Sequence, residues 1–387
     1  MKEIDSIRDF KTWLKQNPEA NPAAIQALDL KSYRRSILKH GFPGSLFLGC
    51  DLEAKAAGHI VLSGGTVIPV VPDLKFKVHR KELYSVDELF AGFDLDKTYQ
   101  DTHDAGIYRQ YVEQGKTPRT IDVSLARRLH DHSITDALEE VIAGQRVVAV
   151  MGGHGMERSD PFYASTARVA RTLTREGFLM VSGGGPGAME ATHLGAYFAS
   201  RSEAALAEAI DLLEPRPDGA QPGQEYKDED WLHRAWRVRE EFPLSQGDEE
   251  QCRSVGIPTW LYGHEPPAPF ATHIAKYFAN SVREDGLLAI AKHGVIFAPG
   301  SAGTTQEIFQ DAAQNHYINE YGGHRVCSPM ILLGERWWTE KRPVWPLLSA
   351  VAQGHMYGEL LALTDSEEEI VRRIKIFDPA VYSVDAP

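Results

Sequence analysis

Residues 146–187 read RVVAVMGGHGMERSDPFYASTARVARTLTREGFLMVSGGGPG. An unbroken apolar run, 147–151, ends in Gly152-Gly153-His154-Gly155. A helix-period stretch follows from 160 and closes at Gly177. A second apolar run, 178–181, then leads into Gly183-Gly184-Gly185-Pro186-Gly187. Apolar runs of this length without alternation are strands covered on both faces, and a helix between them makes the pairing parallel. The repeated order of strand, glycine loop and helix predicts an α/β fold with a doubly wound, mostly parallel sheet.

The pattern extends in both directions. Downstream, VIFAPG at 295–300 is a third strand running into glycine, with a helix in TTQEIFQDAAQNHY and a strand in SPMILLG. The stretch 270–294 carries a long helical pattern with a break expected near Asp285-Gly286. Residues 211–230, rich in Pro, Gly and acid, read as a surface insertion. Upstream, a helix over SITDALEEVIAG is expected to be capped at Ser133. Before it the character changes. GSLFLGC, DLEAKAAGHIVLSGG and TVIPVV form one short βαβ unit, and 73–120 is polar and irregular around a helix at SVDELFAGF. The expected organisation is an N-terminal helical and small α/β extension, 1–123, followed by a nucleotide-binding domain of Rossmann type, 124–387.

Composition limits the function classes. With 41 basic and 54 acidic residues the net charge is −13, which repels a nucleic-acid backbone. No apolar run is long enough to span a membrane, and the charged start, MKEIDSIRDFKTWLKQ, lacks a secretory signal's apolar core. Three cysteines, Cys50, Cys252 and Cys327, lie far apart; that fits a reducing cytoplasm and argues against a cysteine zinc site. His130-Asp131-His132 offers no third ligand and reads as a solvated helix end, so neither metal nor cofactor is expected.

Three glycine loops end three buried strands, and in a parallel sheet those ends share one edge, where ligands bind. Their backbone N–H groups and the N-termini of the following helices suit a phosphate. The sequence lacks G-x-x-x-x-G-K-[ST], and Arg158 stands where a dinucleotide fingerprint needs its third glycine. The loop at 299–307, PGSAGTTQE, adds a carboxylate. Gly300, Ser301, Gly303, Thr304 and Thr305 offer N–H and hydroxyl donors, with Gly152, Gly153, His154, Gly184 and Gly185 on the neighbouring loops. Glu307 then sits one helical turn from a bound anion. It suits the hydroxyls of a ribose and a cationic sugar carbon; spacing alone equally allows a plain complement to the helix dipole. His154 touches ligand or serves the loop backbone.

These segments resemble the LOG (Lonely Guy) family, formerly labelled lysine decarboxylases. APGSAGTTQE is similar to its PGGxGTxxE motif, VVAVMGGHG to its first strand and loop, and FLMVSGGGPGAMEATHLGA to its GGGxxGLMG segment, over roughly residues 125–375. With the N-terminal extension, the chain resembles the longer members related to pyrimidine/purine nucleotide nucleosidases. The resemblance implies a homo-oligomeric enzyme, a dimer or assembly of dimers. It would cleave nucleoside 5′-monophosphates, typically AMP or N6-prenyl-AMP (the cytokinin-activating reaction), to free base and ribose 5-phosphate. It gives Glu307 the catalytic position and Gly300, Gly303 and Thr304 the phosphate positions. Ser301 replaces the motif's second glycine. Arg283 falls one residue before the family's arginine and no lysine follows it, yet it is the candidate catalytic cation. By motif position Tyr163, Met189 and Asn280 border the base; the first two are more often core positions. No lysine sits in a recognisable Schiff-base context, which argues against decarboxylation through pyridoxal phosphate. The rival class is a nucleotide-binding sensor without turnover.

Overall fold

The computed structural model describes residues 1–214, 223–245, 247–318 and 326–383. They form two compact units. The first comprises Met1–Glu82 and Gln110–Ala137, the second Leu83–Arg109 and Leu138–Pro387. The expected insertion at 211–230 falls partly outside the described residues.

The first unit is built on a four-stranded parallel sheet of β1 (Lys2–Ile4), β2 (Ala23–Gln26), β3 (Leu46–Leu48) and β4 (Thr66–Ile68), in that spatial order. Helix α1 (Ile7–Lys15) starts where Ser6 Oγ accepts the Asp9 N–H at 3.1 Å. Such a cap contributes about 1 kcal/mol. Its apolar stripe buries Phe10, Trp13 and Leu14 against Phe42 and Phe47. Trp13 satisfies its indole by donating to the Asn21 carbonyl at 2.7 Å. Helix α2 (Ala54–Leu62) joins β3 to β4 and completes the βαβ unit read from the sequence.

The second unit carries a seven-stranded, wholly parallel sheet of β5 (Arg146–Met151), β6 (Phe178–Ser182), β7 (Ser254–Gly256), β8 (His273–Ile274), β9 (Val295–Phe297), β10 (Met330–Leu333) and β11 (Leu361–Thr364). The spatial order is β11-β10-β9-β5-β6-β7-β8. The chain therefore leaves β5 in one direction through β6 and returns to its other side at β9, a doubly wound Rossmann-like arrangement with its switch point between β5 and β9. Residues of β5 and β6 are buried on both faces, which is why their sequences do not alternate. Helices α3 (Pro161–Arg175) and α4 (Ala188–Tyr197) cover one face and share a core with Val148, Val150 and Met180. Helices α5 (Asn280–Ile290) and α6 (Ala302–His316) flank β9 in sequence.

Four local expectations are corrected. The helix placed at Ser133 is a 22-residue helix, Ile121–Ile142; Ser133 is interior and its hydroxyl donates to the His130 carbonyl at 2.8 Å. Consequently His130 and Asp131 are buried along that helix rather than on a solvated end. The long helix read from 270 begins only at Asn280, because His273–Ile274 add a strand to the sheet edge. It then continues through Gly286, whose missing side chain faces open space, so nothing forces a break.

Candidate functional site

The ends of β5, β6 and β9 bring their three glycine loops together. The Gly153 N–H donates to the Pro299 carbonyl at 3.0 Å, and the Gly153 carbonyl accepts from Ala188 N–H at 3.2 Å at the start of α4. Such close backbone approach leaves no room for side chains. Gly187 has φ of 70°, and a β-carbon there would strike the Gly153 carbonyl. A β-carbon on Gly300 would strike the Thr304 hydroxyl. Gly303, by contrast, faces open space. Gly300→Ala is therefore expected to cost about 1–3 kcal/mol by overpacking, read as a fall of several degrees in Tm, while Gly303→Ala leaves Tm unchanged or raised. Equal Tm values for the two variants would contradict this packing.

Around the loops lies a cavity of about 260 Å³. Of the residues expected at a site, Gly152, Gly153, His154, Gly184, Gly185 and Met189 line it on one side. Ser301, Gly303, Thr304, Glu307 and Arg283 line the other. Ser301 caps α6 with a negative φ of −115°, outside the left-handed region that favours glycine, so a serine fits where the motif has glycine. Its hydroxyl makes no cap bond, which leaves it and the first N–H groups of α6 available to an anion. Gly300 and Thr305 are not among the lining residues. Gly300 packs under Thr304 and its carbonyl accepts from Trp337 Nε1 at 3.2 Å, while the Thr305 hydroxyl donates to the Ser301 carbonyl at 3.0 Å. Tyr163 is core, donating to Glu190 at 3.0 Å.

Glu307 and Arg283 meet across the α5–α6 pair. Arg283 Nη1 stands 4.0 Å from Glu307 Oε1, too long for a hydrogen bond. Arg283 is held by its own helix, donating to Asn280 Oδ1 at 3.1 Å and lying 3.4 Å from Glu284 Oε1. Asn280, expected at the base, instead fastens Glu284 at 2.7 Å. Arg283 is thus buried in the cavity wall. Glu307 accepts no hydrogen bond from the described residues, and burial pushes its carboxyl up to about 7 against the lowering pull of Arg283. That places a proton acceptor at its most effective near neutral pH.

The opposite wall was not read from the sequence. Pro258, Tyr262, Glu265, Pro266, Pro267 and Lys276 come from the segment after β7 and from the stretch after β8. Lys276 is buried and its ammonium donates to Asp104 at 2.8 Å. Asp104, in the helix His103–Glu113, also accepts from Tyr99 Oη at 2.6 Å and Trp260 Nε1 at 3.0 Å. A lone lysine inside the apolar run 274–278 was the available signal, hidden by the helical reading of that stretch.

No family model and no curated protein matches the chain. Among solved structures, the molybdenum cofactor binding protein from the phototrophic bacterium Rippkaea orientalis is similar over 60% of this chain and 96% of its own, at 14% identity and a TM-score of 0.36. So weak a likeness says nothing of ligand or activity. Among the described residues, no helix is long and apolar enough to cross a membrane.

Proposed function

We propose that the protein hydrolyses the N-glycosidic bond of nucleoside 5′-monophosphates, releasing free base and ribose 5-phosphate. The observation that carries this is Glu307: a half-buried carboxylate that accepts no hydrogen bond from the described residues, its carboxyl pushed up to about 7, one turn past a helix start that suits a phosphate. A site that only held phosphate would have no use for a negative group there. The motif resemblance supports the same activity and implies AMP or N6-prenyl-AMP as substrate.

In the proposed step the phosphate binds the N–H groups at the start of α6 and the facing glycine loops. That binding energy fixes C1′ beside Glu307. The C1′–N bond breaks with its electron pair going to the base, the sugar carbon becomes cationic, and water oxygen bonds to C1′. Glu307 stabilises the cation and takes the proton that the water loses, while the departing base nitrogen gains one from solvent. Arg283 sits where it offsets phosphate charge. We extend the reading to a cytoplasmic homo-oligomer, which light scattering tests.

The assay incubates the purified protein with AMP, GMP, CMP and prenyl-AMP and separates free base from nucleotide. Base and ribose 5-phosphate are expected in equal amounts. Tight binding of all four with no base released would leave the non-catalytic sensor.

A further inference from the structure

The cavity has two walls of different chemistry. The phosphate and sugar side carries the glycine loops, α6 and Glu307. The other combines an apolar surface with two charges of opposite sign. Pro258, Pro266 and Pro267 give flat apolar contact, and Tyr262, 45% exposed, stands at its edge. Glu265 projects from this wall over the β6 loop: its Oε2 lies 3.6 Å from where a β-carbon on Gly185 would be. It accepts no hydrogen bond from the described residues, and His264 Nε2 lies 3.9 Å from its Oε1. Lys276 lies on the same wall and within electrostatic range of Glu265. Its ammonium has three donors, and one is spent on Asp104.

Resting on the hydrolase reading above, we propose that Glu265 and Lys276 form the base-reading pair of this site and select bases with a ring N–H beside a carbonyl: guanine, hypoxanthine and uracil. The ammonium donates to the base carbonyl and the carboxylate accepts from the adjacent ring N–H. Guanine adds a second donor, its exocyclic amino group, to the same carboxylate. Adenine and cytosine present the reverse order. Their amino group would face the ammonium and their bare ring nitrogen the carboxylate, leaving buried groups unpaired on both sides. The flat prolines and Tyr262 supply stacking that any base accepts. Burial raises the Glu265 carboxyl, while His154, His264, Lys227 and Lys276 pull it down. A donated ring N–H strengthens that pull and favours the ionised form that accepts it. This wall therefore separates a keto-base substrate from the adenine that the motif resemblance implies.

The test measures kcat/KM for the near-isosteric pairs IMP with AMP and UMP with CMP, together with GMP. IMP is expected to exceed AMP, and UMP to exceed CMP, by a factor of about ten or more, with GMP at least equal to IMP. Glu265→Ala is expected to bring both ratios within about threefold while the inhibition constant of ribose 5-phosphate stays within about twofold, since that product does not reach this wall. Glu265→Gln keeps the shape and serves if the alanine variant does not fold. AMP and CMP equal to or better than their partners would overturn the pairing, as would ratios that neither variant alters. If no nucleotide is hydrolysed, the hydrolase reading falls by itself. The equilibrium affinities of the same five nucleotides then decide: a keto preference lost in the Glu265 variants upholds the pairing, and equal affinities or no binding overturn it.

Discussion

Glu307→Gln is expected to lower kcat by a factor of about 10³ and to leave KM within about threefold, measured by release of free base. Acid–base assistance contributes a factor of 10² to 10⁴, and charge stabilisation at a developing cation adds to it. The glutamine keeps the shape and can still accept a hydrogen bond, so nucleotide binding through the loops persists. The lost elements are negative charge and basicity, which matter in the transition state. That is the signature of an interaction made there and not in the ground state. In the wild type, kcat/KM is expected to rise with pH through about 7, because the working form is the ionised carboxylate. Full turnover in the glutamine variant would remove Glu307 from the chemistry even if the enzyme reading stood.

The same substitution has a stability consequence of known sign. The folded carboxyl is raised from its ordinary 4.5 to about 7 by burial. The native state therefore binds more protons than the unfolded chain between those values, and stability falls as pH rises through that window. The loss is complete above about pH 7 and amounts to about 3 kcal/mol. Glu307→Gln carries no such charge. In urea unfolding it is expected to match the wild type near pH 4 and to exceed it at pH 8. A wild-type advantage at pH 8 would mean that Arg283 holds the carboxylate better than 4.0 Å suggests. A site that is destabilising when ionised is what retained function looks like at the expense of fold.

How legible the molecule was depends on which force shaped each part. The doubly wound sheet was readable because parallel strands covered on both faces leave continuous apolar runs and end in glycines. The switch point between β5 and β9 comes from the strand order and not from the glycines, since the β6 loop carries more of them than the β9 loop. Glu307 and Arg283 were found by motif position, and Arg283 lines the cavity although it falls one place off that position. The other wall was not legible. Lys276 lies in a stretch whose apolar spacing mimics a helix, while its backbone joins a sheet edge through β8. Glu265 lies in a proline turn with no periodicity at all. Its importance comes from what folds next to it, which no local pattern records. Likewise Leu83–Arg109 carries Tyr99 and Asp104, which are tied to the cavity wall through Lys276 and Trp260.

Asp104→Asn is expected to destabilise the protein by about 3–5 kcal/mol, the loss seen when one member of a buried ion pair is removed. Three donors converge on this carboxylate: the Tyr99 hydroxyl, the Trp260 indole and the Lys276 ammonium. An asparagine has one acceptor oxygen and a donating NH2 group, so at least one donor is turned against another donor. The ammonium is also left without its counter-charge. Burial already pulls the Lys276 amine below its ordinary range, with Asp104 opposing. With Asp104 neutralised, Glu265 alone opposes that pull, so the folded lysine sheds its proton more readily than the unfolded one. The unfolded chain then binds more protons, and the variant is expected to regain stability as pH rises toward the ordinary lysine value of 10.5. Lys276→Met is expected to cost less, because Asp104 keeps the Tyr99 and Trp260 donors. The double variant Asp104→Asn with Lys276→Met is expected to be more stable than Asp104→Asn alone, a coupling that a double-mutant cycle reads directly. Additive costs in that cycle, or an Asp104→Asn variant as stable as the wild type at pH 6, would show that the pair does not hold this wall together.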